Sequence, residues 1–395
     1  MTDSFEEWLH QKTHSLSDPS LRRTLHPICH QQGSLIRLND TSYISFTSND
    51  YLGLSQHEDV LQSYRDGIAR WGAGSGGSRV LGGDREVFHI LESRLASLTG
   101  QESALVFNSG YQANVGIVSA LLTEKDVIYA DKKIHASILD GARLSKAKLY
   151  RFAHHNTTHL KEILTKTRDL YANALIVTES VFSMDGDFCD IQELVHLKEA
   201  FQTWLMIDEA HAFGIYGKRY QGRIDCTQWA KSVDVTVGAF GKAVGTCGGF
   251  VSGTRLLKEW LIQACRSFLF STAYCPAIAA ATLTSLDILA PGDLQGQLAI
   301  RVASFKEQLT LNKIPFLGQS HIIGVVIGDE QEAMDVAQYF QNNGLWVQAI
   351  RHPTVAKGEA RLRLVITAMH TQDMIDRLIT ILCSPYVREK IRFIA

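Results

Sequence analysis

Ala174-Leu175-Ile176-Val177, a helical stretch around Leu194 to Phe201, and then Leu205-Met206-Ile207-Asp208-Glu209-Ala210-His211 decide the fold. Two short apolar runs without polar interruption, separated by one helical period, are the pattern of parallel strands buried on both faces. The same alternation extends outward on both sides. Ala104 to Phe107 reads as a strand before a helix from Gly110 to Leu122, and Val127 to Ala130 as a strand before a helix from Ala136. Val233 to Val237 and Gly249 to Val251 continue the set, the last as a returning strand. The expected fold class is therefore α/β, with a mostly parallel central sheet covered by helices.

The pattern changes after Pro291-Gly292. A long helix (Leu294 to Leu311) precedes the strand Ile322 to Ile327, a helix from Glu330 to Asn342, and the strand Val347 to Ile350. An alternating strand from Ala360 to Ile366 and a helix near Asp373 to Leu382 complete a smaller C-terminal α+β domain. The first residues read as an arm plus a short hairpin (Leu35 to Leu38, Tyr43 to Phe46). The expected division is 1–45 for the arm, 46–288 for the large α/β domain and 289–395 for the C-terminal domain.

The 395 residues are 45% hydrophobic and 20% charged, which excludes a disordered or fibrous chain. Lys+Arg (39) nearly balances Asp+Glu (41), so no electrostatic drive toward nucleic acid or an anionic membrane is expected. Seven cysteines without CxxC spacing read as reduced thiols, and an acidic, histidine-bearing N-terminus as no secretory signal. A cytoplasmic protein is the expectation. The uncharged run from Ser267 to Leu286 has the length of a membrane span, but its hydroxyls and Pro276 favour a buried helix starting near the proline.

Two motifs mislead. Gly72-Ala73-Gly74-Ser75-Gly76-Gly77 fits GxGxxG, yet an amphipathic helix (Val60 to Trp71) precedes it where a dinucleotide fingerprint needs a strand. It reads as a loop packed close to a ligand or partner. His154, His155 and His159 have metal-like spacing, but Asn156-Thr157 marks a helix start that leaves His155 outside. Solvated or hydrogen-bonded histidines are expected there, and no metal site anywhere.

The chemistry lies at strand ends, where open α/β sheets bind ligands. Asp208, Glu209 and His211 follow one strand; taken alone they also fit a solvated turn. Lys242, between Gly241 and Gly245, follows another, and a lysine in such surroundings is suited to a Schiff base. Pyridoxal phosphate (PLP) needs this pair: a carboxylate to keep its ring nitrogen protonated and a lysine for its aldehyde. Its phosphate needs a helix N-terminus, which Asn108-Ser109-Gly110-Tyr111 offers, and His135 stands at a further strand end with a ring that can stack.

Ser48-Asn49-Asp50-Tyr51-Leu52-Gly53-Leu54, Gly74 to Arg79 and Val181-Phe182-Ser183-Met184-Asp185-Gly186 extend the picture. From about Phe46 to His370 the sequence resembles the α-oxoamine synthase group of fold-type-I PLP enzymes. Ile350 to Val355 and Ala360 to Leu364 most resemble its biotin-pathway branch. The resemblance implies that Lys242 holds PLP covalently, Asp208 pairs with the pyridinium nitrogen, His211 contacts the phenolic oxygen and His135 stacks on the ring. It places Ser183 near the cofactor, Gly110 and Tyr111 at the phosphate, and Ser271 and Thr272 at the phosphate of a partner subunit. Arg363 is implied to grip the amino-acid carboxylate, with Arg22, Asn49, His135 and Thr354 as further substrate contacts.

The implied protein is a homodimer with its active site at the interface. Its implied reaction is decarboxylative condensation of L-alanine with a pimeloyl thioester of coenzyme A or a carrier protein, giving 8-amino-7-oxononanoate. Sister enzymes using glycine or serine with other acyl groups share the catalytic set, and a catalytically silent binding protein is the alternative from another class. One position departs from the group: Ala239 stands where a threonine hydroxyl usually meets the phosphate.

Overall fold

The computed structural model describes residues 4–14 and 22–392. Parts of the expected arm (1–3 and 15–21) and the last three residues lie outside the described residues. The chain divides into two compact units. One comprises residues up to Ser48, Met184–Gly186 and Leu298 onward; the other comprises Asn49–Ser183 and Asp187–Gln297. The arm and the C-terminal residues thus share one unit where the sequence indicated two, and the second boundary falls at 297/298, inside the Asp293–Leu311 helix. Helical periodicity carries no mark of such a change.

The first three strands are β1 (Ile28–Gln32), β2 (Leu35–Leu38) and β3 (Thr41–Ser45). Seven follow in the larger unit: β4 (Ser103–Phe107), β5 (Val127–Asp131), β6 (Lys148–Phe152), β7 (Ala174–Glu179), β8 (Trp204–Asp208), β9 (Val235–Ala239) and β10 (Gly249–Gly253). The last four are β11 (Ile322–Gly328), β12 (Leu345–Trp346), β13 (Gln348–Ile350) and β14 (Ala360–Val365).

The seven strands of the larger unit form one sheet in the order β4-β10-β9-β8-β7-β5-β6. Only β10 runs antiparallel, to both of its neighbours, so the other six point the same way. The two-residue period of these strands feeds two cores. Ile128, Ala130, Leu175, Val177 and Met206 enter one; Val127, Tyr129, Ala174, Ile176, Leu205 and Ile207 enter the other. Burying each such side chain contributes roughly 1.5–3 kcal/mol, so the sheet is a stiff floor for whatever its ends carry.

The helix Pro276–Leu289 buries Ala277, Ala281, Leu286 and Leu289, as expected for a core helix with proline in its first turn. A Cβ added to Gly67 on the Glu58–Trp71 helix would come 2.8 Å from the Ala277 backbone, so these two helices pack at backbone contact. Among the described residues no single helix is long and apolar enough to cross a membrane.

In the smaller unit β1, β2 and β3 form an antiparallel meander extended by β12, and β11-β14-β13 form a second sheet. β1 and the helix Phe5–His14 were not anticipated, because the polar residues of both carry no clear period. The alternation of β14 also misled: every residue in it is buried, Arg361 and Arg363 included. Arg361 is neutralised within this unit by ion pairs to Asp185 and Glu359, which explains how an arginine stands on a buried face.

Candidate active site

Six of the expected residues stand at or after the carboxyl ends of parallel strands for one topological reason. Gly110 comes after β4, His135 after β5, Ser183 after β7, Asp208 and His211 at and after β8, and Lys242 after β9. Because these strands run the same way, their exits share one edge of the sheet.

Lys242, half-buried, places its Nζ 3.0 Å from His211 Nε2. The other ring nitrogen of the buried His211, Nδ1, lies 2.6 Å from the Tyr51 hydroxyl, which also donates to Asn49 Oδ1 at 3.1 Å. Tyr51 therefore fixes the imidazole that addresses the lysine. Its signal was present in the Asn49-Asp50-Tyr51 motif, but nothing in the sequence joined it to a residue 160 positions away.

Asp208 is 5% exposed, and neutral donors hold both of its oxygens: Asn114 Nδ2 at 2.7 Å and the Ala210 N–H at 2.8 Å. Asn114 also donates to Ser137 Oγ at 3.0 Å, tying β8 to the helix that His135 opens. Glu179, opposite Asp208 in the β7–β8 ladder, is fully buried, and its Oε1 has no hydrogen-bond partner. Burial first, and the Asp208 charge second, push the Glu179 pKa well above the carboxylate range, so Glu179 is the neutral member. The neighbouring Glu209 is a structural acid. It accepts from the Arg223 and Ile224 N–H groups at 3.0 and 2.7 Å and from Ser180 Oγ, and burial raises its pKa to about 7.

His135 caps its own helix through Nδ1, 2.7 Å from Ser137 Oγ. Although the residue is exposed, desolvation by the crowded strand ends lowers its pKa; the Asp208 charge opposes this and Lys242 adds to it. A neutral imidazole suits stacking on an aromatic cation.

The helix Gly110–Leu121 begins at Ser109, whose Oγ accepts from Gln112 N at 3.1 Å, and Gly110 and Tyr111 supply first-turn N–H groups. The backbone is crowded here: a Cβ on Gly249 would lie 2.7 Å from Gly110 Cα, and one on Gly110 would lie 3.3 Å from Ala239 Cβ. Asn108 Nδ2 donates to the Thr272 carbonyl at 2.9 Å, which brings the Ser271-Thr272 segment to the same corner. The glycine-rich loop is no nucleotide fingerprint. It packs on that segment, Ala273 N donating to the Gly77 carbonyl at 2.8 Å and Ser75 Oγ to the Tyr274 carbonyl at 2.6 Å.

Ser183 is half-buried in the hairpin after β7. Arg22 and Thr354 are exposed and Arg363 is buried on β14, all three in the smaller unit, so Lys242 and Arg363 belong to different units.

These groups fit PLP. A buried carboxylate with a neutral shell suits a ring cation, a half-buried amine suits an aldehyde, and a crowded helix N-terminus suits a phosphate. Fold and site thus define a PLP enzyme of fold type I. The family model described as aminotransferase class I and II matches residues 41–382. An 8-amino-7-oxononanoate synthase from Aromatoleum aromaticum is 40% identical over 92% of this chain and 94% of its own. A structure titled as 8-amino-7-oxononanoate synthase from Francisella tularensis is 30% identical with a TM-score of 0.76, covering 88% of this chain and 97% of that one. A serine palmitoyltransferase from S. paucimobilis, solved with bound PLP, is 26% identical with a TM-score of 0.91, covering 98% of this chain and 99% of that one. The chain belongs to the aminotransferase class I and II family and, within it, to the 8-amino-7-oxononanoate synthase family of PLP-dependent transferases.

Proposed function

We propose that the protein condenses L-alanine with a pimeloyl thioester, of coenzyme A or an acyl carrier protein, releasing carbon dioxide and free thiol and forming 8-amino-7-oxononanoate for biotin synthesis. The observation that carries the chemistry is the Tyr51–His211–Lys242 chain beside a buried Asp208 in a neutral shell. The choice of substrates is supported by the relatives' names.

Lys242 is the residue that would hold the cofactor's aldehyde, and its Nζ, when free of that bond, would take the α-proton of the amino acid. His211, oriented by Tyr51, keeps that nitrogen in place. Bound PLP supplies the electron sink for the negative charge left on the α-carbon. Asp208 acts electrostatically, maintaining a positive ring nitrogen as that charge develops. Glu179, being neutral, adds no second negative charge. The α-carbon then attacks the thioester carbonyl, the thiol departs, the alanine carboxylate leaves as carbon dioxide, and a proton returns to the α-carbon. The role the resemblance gives Arg363, with Arg22, Asn49 and Thr354, is to select the substrate carboxylate and acyl chain.

We read the protein as a cytoplasmic homodimer with Ser271 and Thr272 serving the partner's phosphate. The exposed Leu81 and Phe270, 85% and 72% accessible, support a covered surface near that segment. An assay of L-alanine, glycine and L-serine against pimeloyl, acetyl and palmitoyl thioesters tests the substrates. L-Alanine with pimeloyl thioester is expected to turn over fastest, with glycine about tenfold or more slower, since one methyl is worth roughly 1–3 kcal/mol. The likeness to serine palmitoyltransferase makes L-serine with a palmitoyl thioester the second reading, which faster turnover of that pair establishes.

A further inference from the structure

Asp131, His154, His155 and Asp187 form a closed group that the reaction does not use. His154 Nδ1 lies 2.8 Å from Asp131 Oδ1, and its Nε2 lies 2.7 Å from Asp187 Oδ2. His155 doubles the link: its backbone N–H donates to Asp131 Oδ2 at 3.1 Å, and its Nε2 is 2.7 Å from Asp187 Oδ2. Both rings stand edge-on to Phe182, with centroids 4.5 and 5.1 Å away. Four such side chains invite a metal reading, but both nitrogens of His154 are taken by carboxylates, the arrangement of a doubly hydrogen-bonded imidazolium. Burial lowers the His154 pKa, yet the hydrogen bonds and charges of Asp131 and Asp187 outweigh it and raise the value to about 9.

The positions of the two carboxylates matter more than their charge. Asp131 ends β5 and accepts the Lys133 N–H at 2.8 Å, shaping the turn that delivers His135 four residues on. Asp187 closes the hairpin after β7, where Phe182 N donates to its carbonyl at 3.1 Å, next to Ser183. The β5–β7 ladder ends at Ala130 and Val177, before both turns, so it does not tie one turn to the other.

We propose that the Asp131–His154–Asp187 bridge, doubled by His155, is a positioning device that locks the His135 turn to the Ser183 hairpin and so sets the two sides of the cofactor. This rests on the reading that both residues face PLP; it does not depend on which amino acid or thioester is used.

The test compares parent, His154→Gln and His155→Asn holoenzymes by visible absorbance, visible circular dichroism and thermal melting. Circular dichroism reports the asymmetry imposed on the bound cofactor, whereas absorbance reports its loading on Lys242. His154→Gln is expected to load fully, to lose at least half of the dichroic band, and to lower kcat about tenfold with its best substrate pair, because small misplacements near a reacting centre cost rate steeply. A lower melting temperature with unchanged dichroism and kcat overturns the proposal in favour of a purely structural tie. If His154→Gln does not fold, His155→Asn decides. Asparagine tolerates the left-handed backbone of that position (φ 57°) and leaves the main bridge standing. Its dichroic band must still fall, and an unchanged band overturns the proposal. Retention of one Zn2+ per chain, lost in His155→Asn, would also overturn it by replacing the protonated bridge with a metal site.

Discussion

At one edge of the sheet, two groupings of carboxylate and imidazole are wired in opposite ways. Around Asp208 the histidine is not paired with the carboxylate. His211 lies between a phenol and an amine, while Asp208 is held by an amide and a backbone N–H. Around Asp131 and Asp187 the histidine is saturated between two carboxylates. The first arrangement keeps a buried negative charge available for a ligand, at a cost in desolvation that only a cationic ring offsets. The second engages both nitrogens of its histidine with carboxylates, so that ring has no nitrogen left to offer a ligand. Residue types alone do not separate a catalytic group from a tie; the partner of each charge does.

The sharpest way to break this contrast is at the lysine. Lys242→Ala should abolish turnover and the visible absorbance of covalently held cofactor while leaving folding intact, since the side chain is half-buried and its Nζ meets the His211 ring at the sheet edge. Absorbance that survives in this variant and responds unchanged to borohydride would place the covalent link elsewhere.

Asp208→Asn comes next. The amide keeps the volume, but its single oxygen can accept from only one of Asn114 and the Ala210 N–H, and it carries no charge to hold the ring nitrogen protonated. Turnover should fall on the order of 10²–10³-fold, the range for removing one preorganised electrostatic partner, with cofactor still bound. Steady-state kinetics at full cofactor occupancy check this, and near-normal turnover counts against the pyridinium role.

The paired grouping also predicts a pH-dependent stability. The His154 pKa is raised from an ordinary 6.5 to about 9, so its contribution is complete below about pH 6.5 and is lost as pH rises through about 9. For Asp187, burial raises the pKa, but the bonds and charges of His154 and His155 outweigh this and hold it below the usual carboxylate range; its contribution is lost only in acid. The parent should therefore lose about 3 kcal/mol of stability between pH 6.5 and 9 that His154→Gln does not lose. Parallel melting curves for the two proteins across that range would contradict the charge assignment.

How far these groupings were legible in sequence follows the same division. Lys242, Asp208, His211 and His135 stand at or just past strand ends that the uninterrupted apolar runs mark, so their positions on the sheet could be read directly. Tyr51 and Asn114 could not be assigned roles, because their contacts with His211 and Asp208 span 160 and 94 positions. Glu209 stands beside Asp208 in sequence, but its side chain turns to the 223–224 backbone. β14 alternates in sequence and is buried throughout, since its arginine is neutralised by Asp185, which no local pattern announces. Local periodicity is visible along a chain, whereas charge pairing across it is not.

The smallest expected effect lies at the phosphate corner, where Ala239 ends β9. A Cβ on Gly110 would approach Ala239 Cβ to 3.3 Å, so a longer side chain at 239 starts beside the first turn of the Gly110–Leu121 helix. Thr236 cannot supply the hydroxyl: it lies three residues back along the strand, paired with Ser252, with its side chain on the opposite face. Ala239→Thr should add one charge-assisted hydrogen bond to a dianion, worth about 1.5–3 kcal/mol in good geometry, and tighten PLP roughly tenfold. The gain belongs in slower cofactor loss on dialysis and not in kcat, because the phosphate is remote from the reacting carbon. Ala239 is only 8% exposed, so the added methyl and hydroxyl must fit among close neighbours. Cofactor dissociation constants for both proteins decide the matter. An unchanged value means that water or the Ser271-Thr272 segment already serves that oxygen, and a weaker one means that the crowding around Gly110 leaves no space for it.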